Sequence, residues 1–214
     1  VVKHLPRVPR REVRFVSLLG SLTRHAAANP FDVIHRLTDI TGAESYFMPA
    51  PFFADSIEDK RVLMAQKSLN DVFALARAAE LHFVGIGEVG PKAHMLAIGT
   101  IMPEEYRELE HAGAVGEVLG QFLDASGRPV AADINERAVA IRLGDIKGRQ
   151  VVAIAGGPTK TRAIAAVLES RVITGLITDE TTAQAIVELA PGNGASTAIT
   201  AQGKQPRRRA QNVR

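Results

Sequence analysis

The sequence predicts an α/β fold, a Rossmann-like and mostly parallel sheet flanked by helices. Three observations carry that expectation. Short apolar runs rich in Val, Ile and Leu alternate along the chain with segments of helical periodicity, the pattern of parallel strands joined by crossover helices. Several of those runs end in Gly or Pro, as strand-end loops do. Only 5% of the 214 residues are aromatic and there is no Trp, so a core of Val, Ile, Leu and Ala is expected.

The elements follow in order. Val13–Leu19 reads as a strand running into Gly20-Ser21. Asn29-Pro30 starts a helix, with Pro at its first position, and Thr41-Gly42 ends it. Ser45–Met48 is a short strand entering Pro49-Ala50-Pro51. Ser56 with Asp59 caps one helix, and Ser68 with Asp71 caps a second whose inner face holds Leu69, Val72, Phe73 and Ala76. Leu81–Ile86 is a strand. Pro103 opens a helix with acid in its first turn. Gly113–Leu123 reads as a loop leading into a strand, and Ala138–Leu143 as a further strand, antiparallel if present. Val151–Ala155 is a buried strand. Lys160–Ser170 is a helix with Ile164, Val167 and Leu168 inward. Val172–Thr178 is the last strand, followed by a helix capped by Thr178 or Asp179 with Ala183, Ile186 and Val187 on one face.

Charge divides the chain. The first 14 residues sum to +4 and the last 25 to +5, whereas residues 15–189 hold 16 basic and 22 acidic groups, a net of −6. An acidic body does not suit nucleic-acid binding by the body itself. The tail from residue 190, with Arg207-Arg208-Arg209, reads as disordered. The chain has no Cys and no apolar run of membrane-spanning length, which fits a cytoplasmic protein. Its first residue is Val and no signal peptide is evident, so it reads as a fragment.

Four strand-end loops are candidate ligand contacts. Gly20-Ser21-Leu22-Thr23-Arg24 offers backbone N–H groups, hydroxyls and a cation. Gly85-Ile86-Gly87-Glu88-Val89-Gly90 has dinucleotide-type spacing, but Pro91 and the residues after it do not provide the helix that a pyrophosphate needs, so close backbone approach to a ligand is the better reading and no cofactor is expected. Gly156-Gly157-Pro158-Thr159-Lys160 puts a lysine at a helix N-terminus, where the macrodipole opposes it unless an anion sits between. In Gly113–Gly120, Glu117 stands among glycines and apolar residues, placed to accept bonds from sugar hydroxyls or, if buried, to act as a base of raised pKa. The six histidines show no metal-ligand spacing. His82 is expected to pack in the core, and His94 to line a pocket. No Ser stands in a nucleophile elbow.

Taken together, VSLLGSLTR, NPFDVIHRLTDITGAESYFMPAP, ARAAELHFVGIGEVG, GAVGEVLGQFLDASGRPV, VVAIAGGPTKTRAIAAVLES and TGLITDETTAQAIVEL resemble the effector-binding domain of SorC-type (sugar-binding DeoR-type) bacterial transcription regulators, in that family's order over residues 13–189. The resemblance implies a fold similar to glucosamine-6-phosphate deaminase and ribose-5-phosphate isomerase. It implies an effector, a phosphorylated sugar or polyol, that shifts a homodimer or homotetramer on operator DNA read by an N-terminal helix-turn-helix. Residues 1–12 are too few for that element and read as a remnant of its linker. By the same resemblance Gly20, Ser21 and Thr23 hold one part of the ligand, with Arg24 beside them. Glu117, Val118 and Leu119 meet sugar hydroxyls and carbons, Gly85, Gly87, Gly156 and Gly157 allow close approach, and Lys160 meets the phosphate or sugar end. Pro51 stands where members carry Arg, which argues against a bisphosphate. An isomerase or deaminase on the same fold, with Glu117 or His94 as base and Lys160 as stabiliser, is the alternative.

Overall fold

The computed structural model describes residues 4–22 and 33–189. Thr23, Arg24, the helix start at Asn29-Pro30 and the tail from residue 190 lie outside the described residues.

The described chain runs β1 (Arg14–Val16), α1 (Val33–Thr41), β2 (Glu44–Tyr46), α2 (Ile57–Met64), α3 (Lys67–Ala78), β3 (Leu81–Val84), β4 (Gly87–Glu88), α4 (His94–Ala97), α5 (Pro103–His111), β5 (Gly116–Val118), β6 (Gln121–Leu123), α6 (Asp133–Arg137), α7 (Leu143–Ile146), β7 (Gln150–Ile154), a 3-10 turn at Pro158–Lys160, α8 (Thr161–Glu169), β8 (Gly175–Ile177) and α9 (Glu180–Leu189). β1 and β2 pair in parallel, as do β3, β7 and β8, in that spatial order. β4, β5 and β6 form a small antiparallel sheet. The parallel α/β architecture expected from the sequence is present, with an antiparallel unit inserted between β3 and β7.

Local chemistry explains most element ends. Ser56 caps α2 by accepting the Asp59 N–H at 3.0 Å. Gly42, at φ 69°, closes α1 and donates its N–H to Thr38 O at 2.7 Å. Asp179 caps α9 by accepting the Thr182 N–H at 2.8 Å. Other expectations need correction. Helix α3 begins at Lys67, one residue before the expected Ser68, and its N-cap Gln66 makes no side-chain capping bond. Gly113–Leu123, expected as a loop leading into a strand, does end in a strand, β6, but β5 precedes it and the two pair as a hairpin. Ala138–Leu143 is not a strand; it makes isolated antiparallel bridges, Ala138 to Phe53 and Ala140 to Leu19, and Leu143 starts α7. The helix expected from Lys160 starts at Thr161, because Gly157 and Pro158 set a 3-10 turn first. Leu168 and Val187, assigned inward, are exposed, and Thr182 takes the buried place on α9.

The main core joins Leu69, Phe73 and Ala76 of α3 and Ala163, Ile164 and Val167 of α8 to Val84, Val151 and Ala153 of the parallel strands. His82 is buried there, with Nε2 2.9 Å from Ala76 O. A second core lies under the hairpin, and it is aromatic despite the composition. Phe52 and Phe53 pack with ring centres 4.4 Å apart, and Phe122 stacks on Phe53 at 6.3 Å.

A buried ion-pair network ties α5 to α6 beside that core. Arg137, 7% exposed, donates to Asp133 Oδ2 at 2.6 Å, to Ala54 O at 2.8 Å and to Glu105. Removing the guanidinium leaves the Glu105 carboxylate largely shielded from water and without its cation. Arg137→Met is therefore expected to lower unfolding free energy by about 3 kcal/mol, measured by urea denaturation, with the m-value unchanged.

Candidate functional site

The site is built where β3 and β7 end side by side, Val84 pairing with Ala153, and where the antiparallel hairpin meets them. Leu119 and Gly120 join β5 to β6 as a two-residue loop, with φ 53° and 76°. Positive φ at both loop residues is the geometry that suits the twist of a hairpin. Leu is a strained choice there, and its burial in the core (5% exposed) holds it in place. Gly120 is required for a second reason: a Cβ would stand 2.8 Å from that of Ala138.

Glu117 sits just before this loop and is buried, 4% exposed. Its Oε1 accepts the Gly120 N–H at 2.5 Å. Its partner on β4 is Gly87, where a Cβ would lie 2.6 Å from Glu117 Oε2, so any side chain there would displace the carboxyl as it now stands. Burial lifts the Glu117 carboxyl from the ordinary range to about 7, against the opposing pull of the Gly120 N–H, the Lys160 charge and the Gly87 N–H. A carboxyl that changes charge near neutrality can donate or accept hydrogen bonds to hydroxyls.

Lys160 enters from the 3-10 turn. Its Nζ donates to Ile86 O at 2.7 Å and lies 3.7 Å from Glu88 Oε2. The anion that a lysine at a helix start calls for is thus supplied by the chain itself. Glu88, 16% exposed at its side chain, was not singled out in the sequence, although it stands inside the glycine-spaced motif. The lysine's position at a helix start is the feature of the sequence that calls for a nearby acid.

Structure brings Gly87, Glu117 and Lys160 together, with Ile86 and Glu88 completing the group. Gly85 is exposed at the end of β3, and Val118 is fully buried beneath the loop. Gly156 and Gly157 lie one step away, tied to α9: the Gly157 N–H donates to Thr182 Oγ1 at 2.8 Å, and that hydroxyl donates to Asp179 Oδ2 at 2.7 Å. The Thr182 hydroxyl and N–H hold the Asp179 carboxyl below its usual range. Gly20, Ser21 and Pro51 form a separate group. Ser21 bridges Pro51 in parallel, the Gly20 N–H donates to Val139 O at 3.0 Å, and the Ser21 N–H to Ala50 O at 2.8 Å. Those two N–H groups are used within the fold. His94 starts α4 and is exposed. Of two surface grooves, one of about 370 Å³ is lined by Pro158, Thr161 and Thr182 beside Gly157, and one of about 320 Å³ by residues outside these groups.

Residues 1–188 match the family described as "Putative sugar-binding domain". The chain belongs to this sugar-binding domain family. Among similar proteins, the erythritol catabolism regulatory protein EryD of Brucella abortus is 45% identical over 186 residues, 87% of this chain and 59% of that protein. The sugar-binding domain therefore spans about three fifths of that relative's length. A transcriptional regulator from Streptococcus pneumoniae superposes with a TM-score of 0.78 at 26% identity, over 87% of this chain and 72% of the other. The full-length sorbitol operon regulator SorC of Klebsiella pneumoniae shares the fold, with a TM-score of 0.75 at 23% identity over 86% and 61% of the two chains. Among the described residues no helix of the sugar-binding domain is long and apolar enough to cross a membrane, and no group of three or more His, Cys, Asp or Glu is placed to hold a metal.

The raised Glu117 value fixes the sign of a pH effect. The unfolded carboxyl ionises near 4.5 and the folded one near 7, so between those values the folded state holds more protons and loses stability as pH rises. Glu117→Gln removes that loss. From pH 4.5 to 8 the variant's stability relative to the parent is expected to rise by about 3 kcal/mol, read from urea denaturation at a series of pH values.

Proposed function

We propose that this chain is the effector-sensing domain of a sugar-responsive bacterial transcriptional regulator in the cytoplasm. Its effector is a phosphorylated sugar or polyol, and binding controls the DNA affinity of a homodimer or homotetramer through a DNA-reading domain outside this chain. The observation that carries the proposal is the Glu117–Lys160–Glu88 group at the strand ends of a sugar-binding domain. Open α/β sheets take ligands at that edge. One ammonium and two carboxyls offer donors and acceptors to a run of hydroxyls. The EryD name, attached to a relative at 45% identity, favours a short polyol skeleton. Gly85, Gly87, Gly156 and Gly157 give close backbone approach. Leu119 supplies an apolar wall, and Gly20, Ser21, Thr23, Arg24 and Pro51 meet the other end of the ligand. A coupling of about 1–3 kcal/mol between ligand and subunit arrangement is enough for a switch.

The isomerase or deaminase alternative draws on one observation, the buried and near-neutral Glu117. The comparisons lend it no support, and His94, its other candidate base, is exposed at the start of α4. Sugar phosphates incubated with the protein are expected to stay unchanged by NMR.

A thermal-shift panel of free and phosphorylated sugars and C4–C6 polyols tests the sensor reading. One or a few compounds are expected to raise Tm, by an amount that corresponds to about 2.7 kcal/mol at a hundred times Kd. Lys160→Ala is expected to weaken that binding by roughly tenfold or more, since hydrogen bonds from charged groups contribute about 1.5–3 kcal/mol. A flat response across the whole panel overturns the proposal.

A further inference from the structure

The groove of about 320 Å³ noted above lies at the opposite edge of the sheet from the candidate site. Arg77 ends α3 just before β3 begins, and Arg142 and Asp145 sit at α7 just before β7 begins. Lys60 and Arg61 of α2 line it, with Glu136 of α6. Four cations and two acids therefore meet here, on a body whose net charge is −6.

Not all of these cations are matched. Arg77 pairs with Asp145 at 3.1 Å, and Arg61 pairs with the exposed Glu58 at 3.2 Å. Lys60 Nζ donates to a neutral acceptor, Glu136 O, at 2.6 Å. Among the described residues no carboxylate lies within ion-pair distance of Lys60 or Arg142. The two face one groove as like charges. Burial, and then the Arg142 charge, lowers the Lys60 pKa, with the Glu136 carboxylate opposing more weakly. Holding two unmatched cations together is unfavourable in the empty protein and becomes favourable when an anion bridges them.

We propose that this groove is a second ligand site, for a small phosphate-bearing metabolite anchored by its phosphoryl group between Lys60 and Arg142. Arg142 presents a planar fork that matches two phosphoryl oxygens, and Lys60 adds a point charge. The groove's volume lies at the lower end of small-molecule sites, which run from about 300 Å³ upward. The site shares no residue with the proposed effector site, so either can fail without the other.

Titrate the full chain with inorganic phosphate, and separately with glycerol 3-phosphate, by calorimetry at physiological ionic strength. Saturable binding of at least one is expected in the parent, and it persists at one site per chain in Lys160→Ala. Binding of phosphate alone identifies the free ion as the ligand, and tighter binding of the ester identifies a phosphorylated metabolite. Lys60→Met and Arg142→Gln are each expected to weaken binding tenfold or more, while Tm in phosphate-free buffer stays level or rises because like-charge repulsion is relieved. A merely structural role would lower Tm instead. Non-saturating heats overturn the proposal, as does binding indifferent to both substitutions or a Tm drop in both variants. Loss of binding in Lys160→Ala alone also overturns it, by placing the phosphate at the other end of the sheet.

Discussion

The buried carboxyl of Glu117 is the constraint on which the site depends. It stands where β4, the β5–β6 hairpin and the segment ahead of α8 meet. Its Oε1 closes the Leu119–Gly120 turn, its Oε2 fills the space that Gly87 leaves open, and the Lys160 charge reaches it from the segment ahead of α8. The neighbouring Gly116 lies against the Ala163 backbone of α8, where a Cβ would stand 2.8 Å from Ala163 Cα. Hairpin and helix thus approach closely at Gly116, with room for no side chain at that position. A left-handed Leu119 costs roughly 1–3 kcal/mol, and such strain persists only where surrounding contacts over-determine the backbone. Here those contacts are the apolar core under Leu119 and the carboxyl cap on Gly120.

The electrostatics follow from the same placement. A lysine preceding a helix is opposed by the macrodipole, and a carboxylic acid in an apolar pocket resists ionisation. Setting the two near each other, with Glu88 as a second acid, lets each offset the other's cost. The resulting group holds one cation and up to two anions, with the second anion titrating near neutral pH. Such a group is close to charge-balanced and rich in directional donors and acceptors. That suits the hydroxyl face of a carbohydrate better than a bare phosphate, and it places the demand for any phosphate charge on other contacts.

Most of the fold was legible because its signals are local. The apolar strand runs, the Ser56 and Asp179 caps and Gly42 act within a few residues of themselves, and His82 took the core position its strand implied. What was hidden is long-range or breaks a local rule. The β5–β6 hairpin was unreadable because Leu119 is not a turn residue; tertiary packing imposes its conformation. The aromatic core under the hairpin was unreadable because Phe52, Phe53 and Phe122 are brought together only by folding. Glu88 became a partner of Lys160 across seventy-two residues of sequence, a distance no motif spans. Leu168 and Val187 were misplaced because each lies one position round the helix from a buried stripe, beyond what periodicity resolves at a helix end.

Segment 138–141 connects the two groups of candidate ligand contacts. Ala138 lies against the Gly120 turn, and its carbonyl-side neighbour Val139 accepts the Gly20 N–H while donating to Phe52 O at 2.7 Å. Ile141 then donates to Leu18 O at 2.8 Å. The Gly20-Ser21 turn after β1, the Pro51 turn and the Glu117 hairpin are therefore fastened to one short extended segment, although no sheet joins them. Close packing makes such a segment stiff rather than continuously deformable. The segment runs directly into Arg142 and α7, so the same strip of chain reaches from the strand-end site to the basic groove at the far edge of the sheet.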